Sequence, residues 1–188
     1  MEKFRWLTIL GMMFSIIVFL RFGTALFAYD RGAAVNYAMT YCWNYNPNKP
    51  DYGSINGDCA NFVSQCVEAG GQGGVYSASA AYLACNLKNA GWQVLACGTW
   101  AGAPAGIEPG DVVIVGDYGC AGCGFNDWGH IMIVTSVNPV RISGHTTDEC
   151  NVGFYWHGYS AAIWLHAPTA SVNKKPRGGI GADGTPAG

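Results

Sequence analysis

The period of the apolar residues changes near residue 91, and this change constrains the fold more than any other feature of the chain. Before it, three segments carry apolar residues at helical spacing. After it, short apolar or alternating runs are separated by turn residues, which is typical of antiparallel strands. Helices followed by strands predict an α+β domain, with N-terminal helices packed on an antiparallel sheet.

The individual elements follow from the same pattern. We expect a first helix that begins after Asp30, a good N-cap residue, and ends near Cys42. A second helix should begin at Cys59 and stop at Gly70, and a third should lie within 77–90. The predicted strands are 92–95, 111–115, 130–137, 139–145 and 161–165.

The N-terminus reads as a secretory signal peptide of residues 1–25. Basic residues precede an apolar stretch at 6–20, and Gly23 and Ala25 supply small residues for cleavage; cleavage after Ala28 is the alternative. The apolar stretch is shorter than the roughly 20 residues that a bilayer span requires. We therefore expect a secreted, extracellular protein with no stable membrane anchor after cleavage.

The remaining chain divides into one domain and a tail. Residues 29–168 are enough for a single domain with its own core, and the Gly-rich residues 169–188 are expected to form a flexible tail. Charged residues make up only 12% of the sequence, so no nucleic-acid partner is predicted. No nucleotide, flavin or metal motif is visible, so the expectation is no cofactor and no metal.

The cysteines predict a mixture of disulfides and thiols. All eight lie after the predicted signal peptide, and an oxidising compartment would pair most of them. If Cys59 stays free to react, one other must be unpaired, and Cys66, two helical turns further on, is our choice. Sequence proximity favours pairing Cys85 with Cys97, and Cys120 with Cys123 or Cys150. A zinc site at Cys120 and Cys123 is disfavoured because no second CxxC or His pair accompanies it.

We interpret Cys59 as a nucleophile and His130 as its general base. A thiol at a helix N-terminus lies beside the positive end of the helix dipole, which favours the reactive thiolate. His130 precedes the apolar run 131–134, so it lies where a strand end can present a ring nitrogen to a cleft. The alternative is that both residues simply pack in the structure, as isolated Cys and His residues commonly do.

Several motifs occur in order between about residues 29 and 152. They are Tyr29-Asp30-Arg31, Asp58-Cys59-Ala60-Asn61-Phe62-Val63-Ser64-Gln65-Cys66, Pro109-Gly110-Asp111-Val112, Trp128-Gly129-His130 and Ser143-Gly144-His145-Thr146-Thr147-Asp148. In these motifs the chain resembles the Putative amidase domain family, a relative of the NlpC-type and CHAP cell-wall hydrolases.

This resemblance implies a papain-like cysteine hydrolase fold and a set of roles. Cys59 matches the nucleophile, His130 the general base, and His145 the polar residue that orients the base; Asp148 is the second choice for that third role. We expect the backbone N–H of Cys59 to donate a hydrogen bond to the oxyanion, together with a side chain from Tyr45, Asn46 or Tyr52. Asp58 is expected either to cap the helix or to act in catalysis.

Taken together, the sequence predicts a secreted cysteine hydrolase of amide or peptide bonds. The expected substrate is a peptide or peptidoglycan-type molecule, cleaved in its stem peptides through an acyl-enzyme. Two alternatives stay open. One is acyl or amide transfer by the same residues, and the other is a disulfide-rich binding module that does no chemistry, which would lead if Cys59 were oxidised.

Overall fold

The computed structural model describes residues 28–51, 57–117 and 128–169. The predicted signal peptide and the predicted tail beyond residue 169 lie outside these residues. The three helices are α1 (Arg31–Tyr41), α2 (Cys59–Ala69) and α3 (Ala80–Asn89). The strands are β1 (Gln93–Thr99), β2 (Val112–Gly116), β3 (Trp128–Val137), β4 (Val140–Gly144), β5 (Glu149–Gly153) and β6 (Ala161–His166).

The helices confirm the boundaries that the sequence predicts. Asp30 caps α1, because its carboxylate accepts a hydrogen bond from the backbone N–H of Ala33 over 2.9 Å. The second helix begins at Cys59 and its C-cap is Gly70. The third begins three residues later than expected, since the Ser77 hydroxyl accepts the backbone N–H of Ser79 in a local turn.

The strands form one six-stranded sheet in the order β1-β6-β2-β3-β4-β5, and every neighbouring pair is antiparallel. The predicted α+β class is therefore confirmed. Sequence analysis missed β5, because its run Glu-Cys-Asn-Val-Gly has no apolar alternation. This edge strand lies beside β4 and brings Glu149 into the sheet.

The two faces of the sheet bury different clusters. Along β3, Ile131 and Ile133 face the helices and pack in the cluster that contains Phe62 and Cys59. Met132 and Val134 face the opposite side, where they join a cluster built around Trp164. This alternation is the period-two pattern of a strand buried on both faces, and it fixes which side of the sheet each β3 side chain reaches.

The expected pairing of Cys85 with Cys97 is wrong, and so is the alternative that pairs Cys120 with Cys150; the other alternative, Cys120 with Cys123, lies outside the described residues. Cys42, which follows α1, forms a disulfide with Cys150 in β5, 108 residues away. Cys97 is also disulfide-bonded, whereas Cys85 is not in a disulfide. The fold decides which thiols meet, and it brings the end of α1 against β5. Cys66 is unpaired and fully buried, as predicted.

None of the helices in the described part of the chain has the length and apolar character needed to cross a membrane.

Candidate active site

Cys59 is the first residue of α2, and the loop after β4 caps this helix. The side-chain oxygen of Thr146 accepts hydrogen bonds from the backbone N–H groups of Asp58 (3.0 Å) and Cys59 (3.3 Å). Asp58 occupies the N-cap position but its side chain caps nothing, so the predicted capping role is wrong. Its carboxylate instead accepts a hydrogen bond from Asn61 over 2.5 Å and lies 2.7 Å from Nδ1 of His145.

Thr146 holds this position in a strained backbone conformation. Its φ is 85°, a region that β-branched residues rarely enter. Gly57, just before the helix, has a φ of 122°, and a Cβ there would lie 3.0 Å from the hydroxyl oxygen of Thr146. Such strain persists only where surrounding structure enforces it, and it concentrates at functional sites.

The thiol of Cys59 lies over the N-terminal part of β3, within hydrogen-bonding reach of the peptide that joins His130 to Ile131. It accepts hydrogen bonds from the backbone N–H of Ile131 and the hydroxyl of Thr146. Burial nevertheless raises the pKa of Cys59, and these hydrogen bonds only partly offset it. The resting side chain is therefore the protonated thiol, contrary to the thiolate that the helix N-terminus led us to expect.

His130 lies in β3, one residue before the one that holds the thiol. Its side chain is buried, and its ring packs against His157 at 4.5 Å between centroids. Burial, with a smaller contribution from His157, lowers the pKa of His130 to about 4, so the imidazole is neutral at pH 7. Its Nε2 atom has no hydrogen-bond partner among the described residues.

His145 follows β4 directly and is committed to other contacts. Its Nδ1 lies 2.7 Å from Asp58, its Nε2 lies 2.7 Å from the carbonyl oxygen of Tyr41, and its ring stacks on Phe62. Both ring nitrogens are thus engaged, and within the described chain neither bonds to His130. The structure places Cys59 against Ile131 and Thr146, the residues that follow the two histidines. Among the described residues, no hydrogen bond joins the predicted triad, and the ring of His130 lies on the opposite face of the sheet from Cys59.

Two of the groups expected to donate hydrogen bonds to an oxyanion already donate to other atoms in this structure. The N–H of Cys59 is shared with Thr146, and the amide of Asn46 donates to the hydroxyl of Tyr37 over 2.9 Å. Tyr45 packs on the ring of His145, with centroids 4.5 Å apart. Tyr52, the third residue expected in this role, lies outside the described residues.

Sequence reasoning missed Thr146, Glu149 and His157 as site residues. Thr146 directly follows His145 in the motif Ser143-Gly144-His145-Thr146-Thr147-Asp148, and this position could have indicated a role in the site. Glu149 and His157 belong to a strand without alternation and to a loop, and nothing in their spacing predicts that they meet His130. Only the pairing of β5 with β4 brings them there.

One cavity among the described residues lies away from the thiol. A cavity of about 300 Å³ is lined by Lys49, Gln65, Glu68, Tyr76 and their neighbours, and Cys59 is not among its lining residues. The candidate site is therefore assigned from the Cys59 thiol and its neighbours, and this cavity is not part of it.

Comparison with known proteins supports an amidase-like family. The family described as "Putative amidase domain" matches residues 28–105, a stretch that contains Cys59 and ends before His130. A protein of Bacillus subtilis (strain 168) described as "Uncharacterized protein YhbB" is 46% identical over 50 residues, which is 27% of this chain and 15% of the Bacillus protein. No solved structure gives a significant match.

Proposed function

We propose that this chain is a secreted cysteine hydrolase of amide bonds, with Cys59 as nucleophile and His130 as general base. The observation that carries the proposal is the free thiol of Cys59 at the first position of α2, beside the backbone N–H of Ile131, the residue after His130. In this structure the ring of His130 lies on the face of β3 that carries Met132, away from Cys59, so the base role requires the first residues of β3 to turn this ring toward α2. The match to an amidase-like family over the Cys59 segment supports the same reaction class.

The reaction assigns each group one task. The imidazole of His130 takes the proton of the thiol, and the resulting thiolate attacks the amide carbonyl carbon. The tetrahedral intermediate collapses when the imidazolium donates its proton to the leaving amine, which leaves a thioester on Cys59. Water, deprotonated by the same imidazole, then attacks the thioester, releases the carboxylic acid and restores the thiol.

His145 acts in this proposal as a positioning residue. It ties the loop after β4 to Asp58 and to the end of α1, so that the adjacent Thr146 is held against Cys59. This differs from the predicted hydrogen bond between His145 and His130. A papain-like fold stays part of the proposal, supported by the order of the elements, in which Cys59 begins a helix that packs on the strand bearing His130.

Peptidoglycan stem peptides are the proposed substrate class, and the extracellular space the proposed location. The support is the apolar N-terminal segment with small residues after it, the Cys42–Cys150 disulfide and the resemblance to cell-wall hydrolases. A ligand-binding module would have led if Cys59 were oxidised, but the thiol is free. Hydrolysis is therefore our first choice over binding.

The test is digestion of purified peptidoglycan, followed by measurement of newly released amino groups. We expect the wild-type protein to release them and a folded Cys59→Ala variant to release none above background. Cys66→Ala is the matched control, because it removes the other free thiol of the same helix, which is fully buried. Equal release by the wild-type and Cys59→Ala proteins would overturn the proposal.

A further inference from the structure

Three buried polar atoms without hydrogen-bond partners meet at one place on the sheet. They are Nε2 of His130, Nε2 of His157 and Oε2 of Glu149, and they account for three of the four such side-chain atoms in the described chain. Buried polar atoms are nearly always paired, so three orphans in one cluster require an explanation.

The geometry of the cluster is that of a set of ligands. The three side chains can each offer one donor atom, and these donor atoms all lie within 4.8 Å of one another. Nε2 of His157 and Oε2 of Glu149 are 3.2 Å apart but outside hydrogen-bonding geometry. Tetrahedral ligands about 2.0–2.2 Å from a zinc ion lie roughly 3.3–3.6 Å from each other, so a small inward movement completes the arrangement.

Neighbouring groups orient the carboxylate. The hydroxyl of Tyr155 donates a hydrogen bond to Oε1 of Glu149, which leaves Oε2 directed at the two histidines. The ring of Tyr155 also stacks on that of His157, with centroids 3.9 Å apart. Support of this kind, in which an outer residue fixes the orientation of a ligand, is typical of metal sites.

We propose that His130, Glu149 and His157 form a binding site for one divalent transition-metal ion of the Zn²⁺ type. Two imidazole nitrogens and one carboxylate oxygen suit zinc and its neighbours rather than Ca²⁺ or Mg²⁺, which prefer all-oxygen ligands. Sequence analysis predicted no metal site, because these three ligands share no motif and come from β3, β5 and the loop before β6.

Ion binding and amide hydrolysis would then compete for one atom. A metal ion on Nε2 of His130 takes up the electron pair that the base needs to accept the thiol proton. The bound form is thus the inactive form of the enzyme. This consequence rests on the proposed function, whereas the binding site itself does not.

The test is titration of metal-stripped full-length protein with ZnCl₂ in a calorimeter. We expect one ion per chain, and an affinity about 10- to 100-fold lower or worse in Glu149→Gln and in His157→Asn. Asn is chosen at position 157 because the backbone there has a φ of 52°, which Asn tolerates. Glu68→Gln is the matched control, since it removes an exposed carboxylate elsewhere and should bind like the wild type.

A Cys59→Ala variant separates the cluster from the thiol as the source of binding. Because the thiol is not one of the three ligands, its affinity should stay within about 3-fold of wild type. No binding by wild-type protein, equal binding by folded Glu149→Gln and His157→Asn, or loss of binding in Cys59→Ala would each overturn the site. Unchanged hydrolysis by the zinc-saturated enzyme would overturn only the competition, and absence of hydrolysis without metal would count against the proposed function alone.

Discussion

Thr146 and Cys59 are joined by two hydrogen bonds that run in opposite directions. The hydroxyl of Thr146 donates to the thiol, and its oxygen accepts the backbone N–H of Cys59 over 3.3 Å. One side chain from the loop after β4 therefore holds both ends of the nucleophile residue. The site depends on a contact between segments that are 87 residues apart.

The first prediction concerns this hydroxyl. Thr146→Val keeps the shape and the β-branching but leaves the N–H groups of Asp58 and Cys59 without their acceptor. An unpaired buried donor costs about 1–3 kcal/mol, so we expect lower stability in urea and a fall in hydrolysis of at least about tenfold. Thr146→Ser keeps the hydroxyl and should retain both properties. Wild-type behaviour of Thr146→Val would show that the contact is incidental.

The second prediction concerns the pH dependence of thiol reactivity. Because burial raises the pKa of Cys59 above its ordinary value of 9.0, the thiolate is a minor species at neutral pH. The rate of alkylation of Cys59 by iodoacetamide should therefore rise about tenfold per pH unit from about pH 7 to 9. Peptide mass spectrometry of labelled protein measures this rate. A rate that is already constant across this range would mean a lowered pKa instead.

The third prediction concerns the buried pair of Asp58 and His145. Both side chains are almost fully buried and their atoms lie 2.7 Å apart. His145→Gln removes one partner and leaves the carboxylate buried, so we expect a loss of about 3 kcal/mol in the free energy of unfolding. The exposed pair of Lys49 and Glu68 is the comparison, and Glu68→Gln should cost under about 1 kcal/mol. Similar losses in the two variants would contradict the structural role of the buried pair.

The fourth prediction concerns a close approach beside the base. A Cβ at Gly129 would lie 1.9 Å from the ring of Tyr159, so Gly129→Ala must displace that ring or the start of β3. We expect a loss of about 2 kcal/mol or more, together with a fall in hydrolysis. Gly73 has no neighbour within 4 Å and no left-handed φ, so Gly73→Ala should leave both unchanged. Thermal unfolding of the two variants gives the comparison.

The helix boundaries and the position of Cys59 at the start of α2 were predictable because they depend on residues that are close together in the sequence. Asp30 as a cap and Gly70 as a stop act within one helical turn, and apolar periodicity reports burial directly. The contacts of His145 were not predictable in this way. Its partners, Asp58 and the carbonyl of Tyr41, come from distant segments, and nothing in the spacing distinguishes them from His130 as a partner.

The direction of the Cys59 pKa illustrates the same limit of local reasoning. A helix N-terminus alone lowers a thiol pKa, and this is the effect that the sequence displays. The opposing effect is desolvation, which arises only when the sheet and the loop after β4 close over the helix. The magnitude of burial is a property of the assembled fold, so its dominance could not be read from residues 57–66.

The most direct test of the central claim is the intact mass of the protein quenched in acid during turnover of a peptidoglycan-type peptide. If Cys59 is the nucleophile, the wild-type chain gains the mass of the acyl half of the substrate, and fragmentation places it on Cys59. The adduct should be absent from Cys59→Ala, which should also fail to cleave the peptide. Cleavage by a folded Cys59→Ala protein at the wild-type rate, with no adduct on the wild-type chain, would contradict the account.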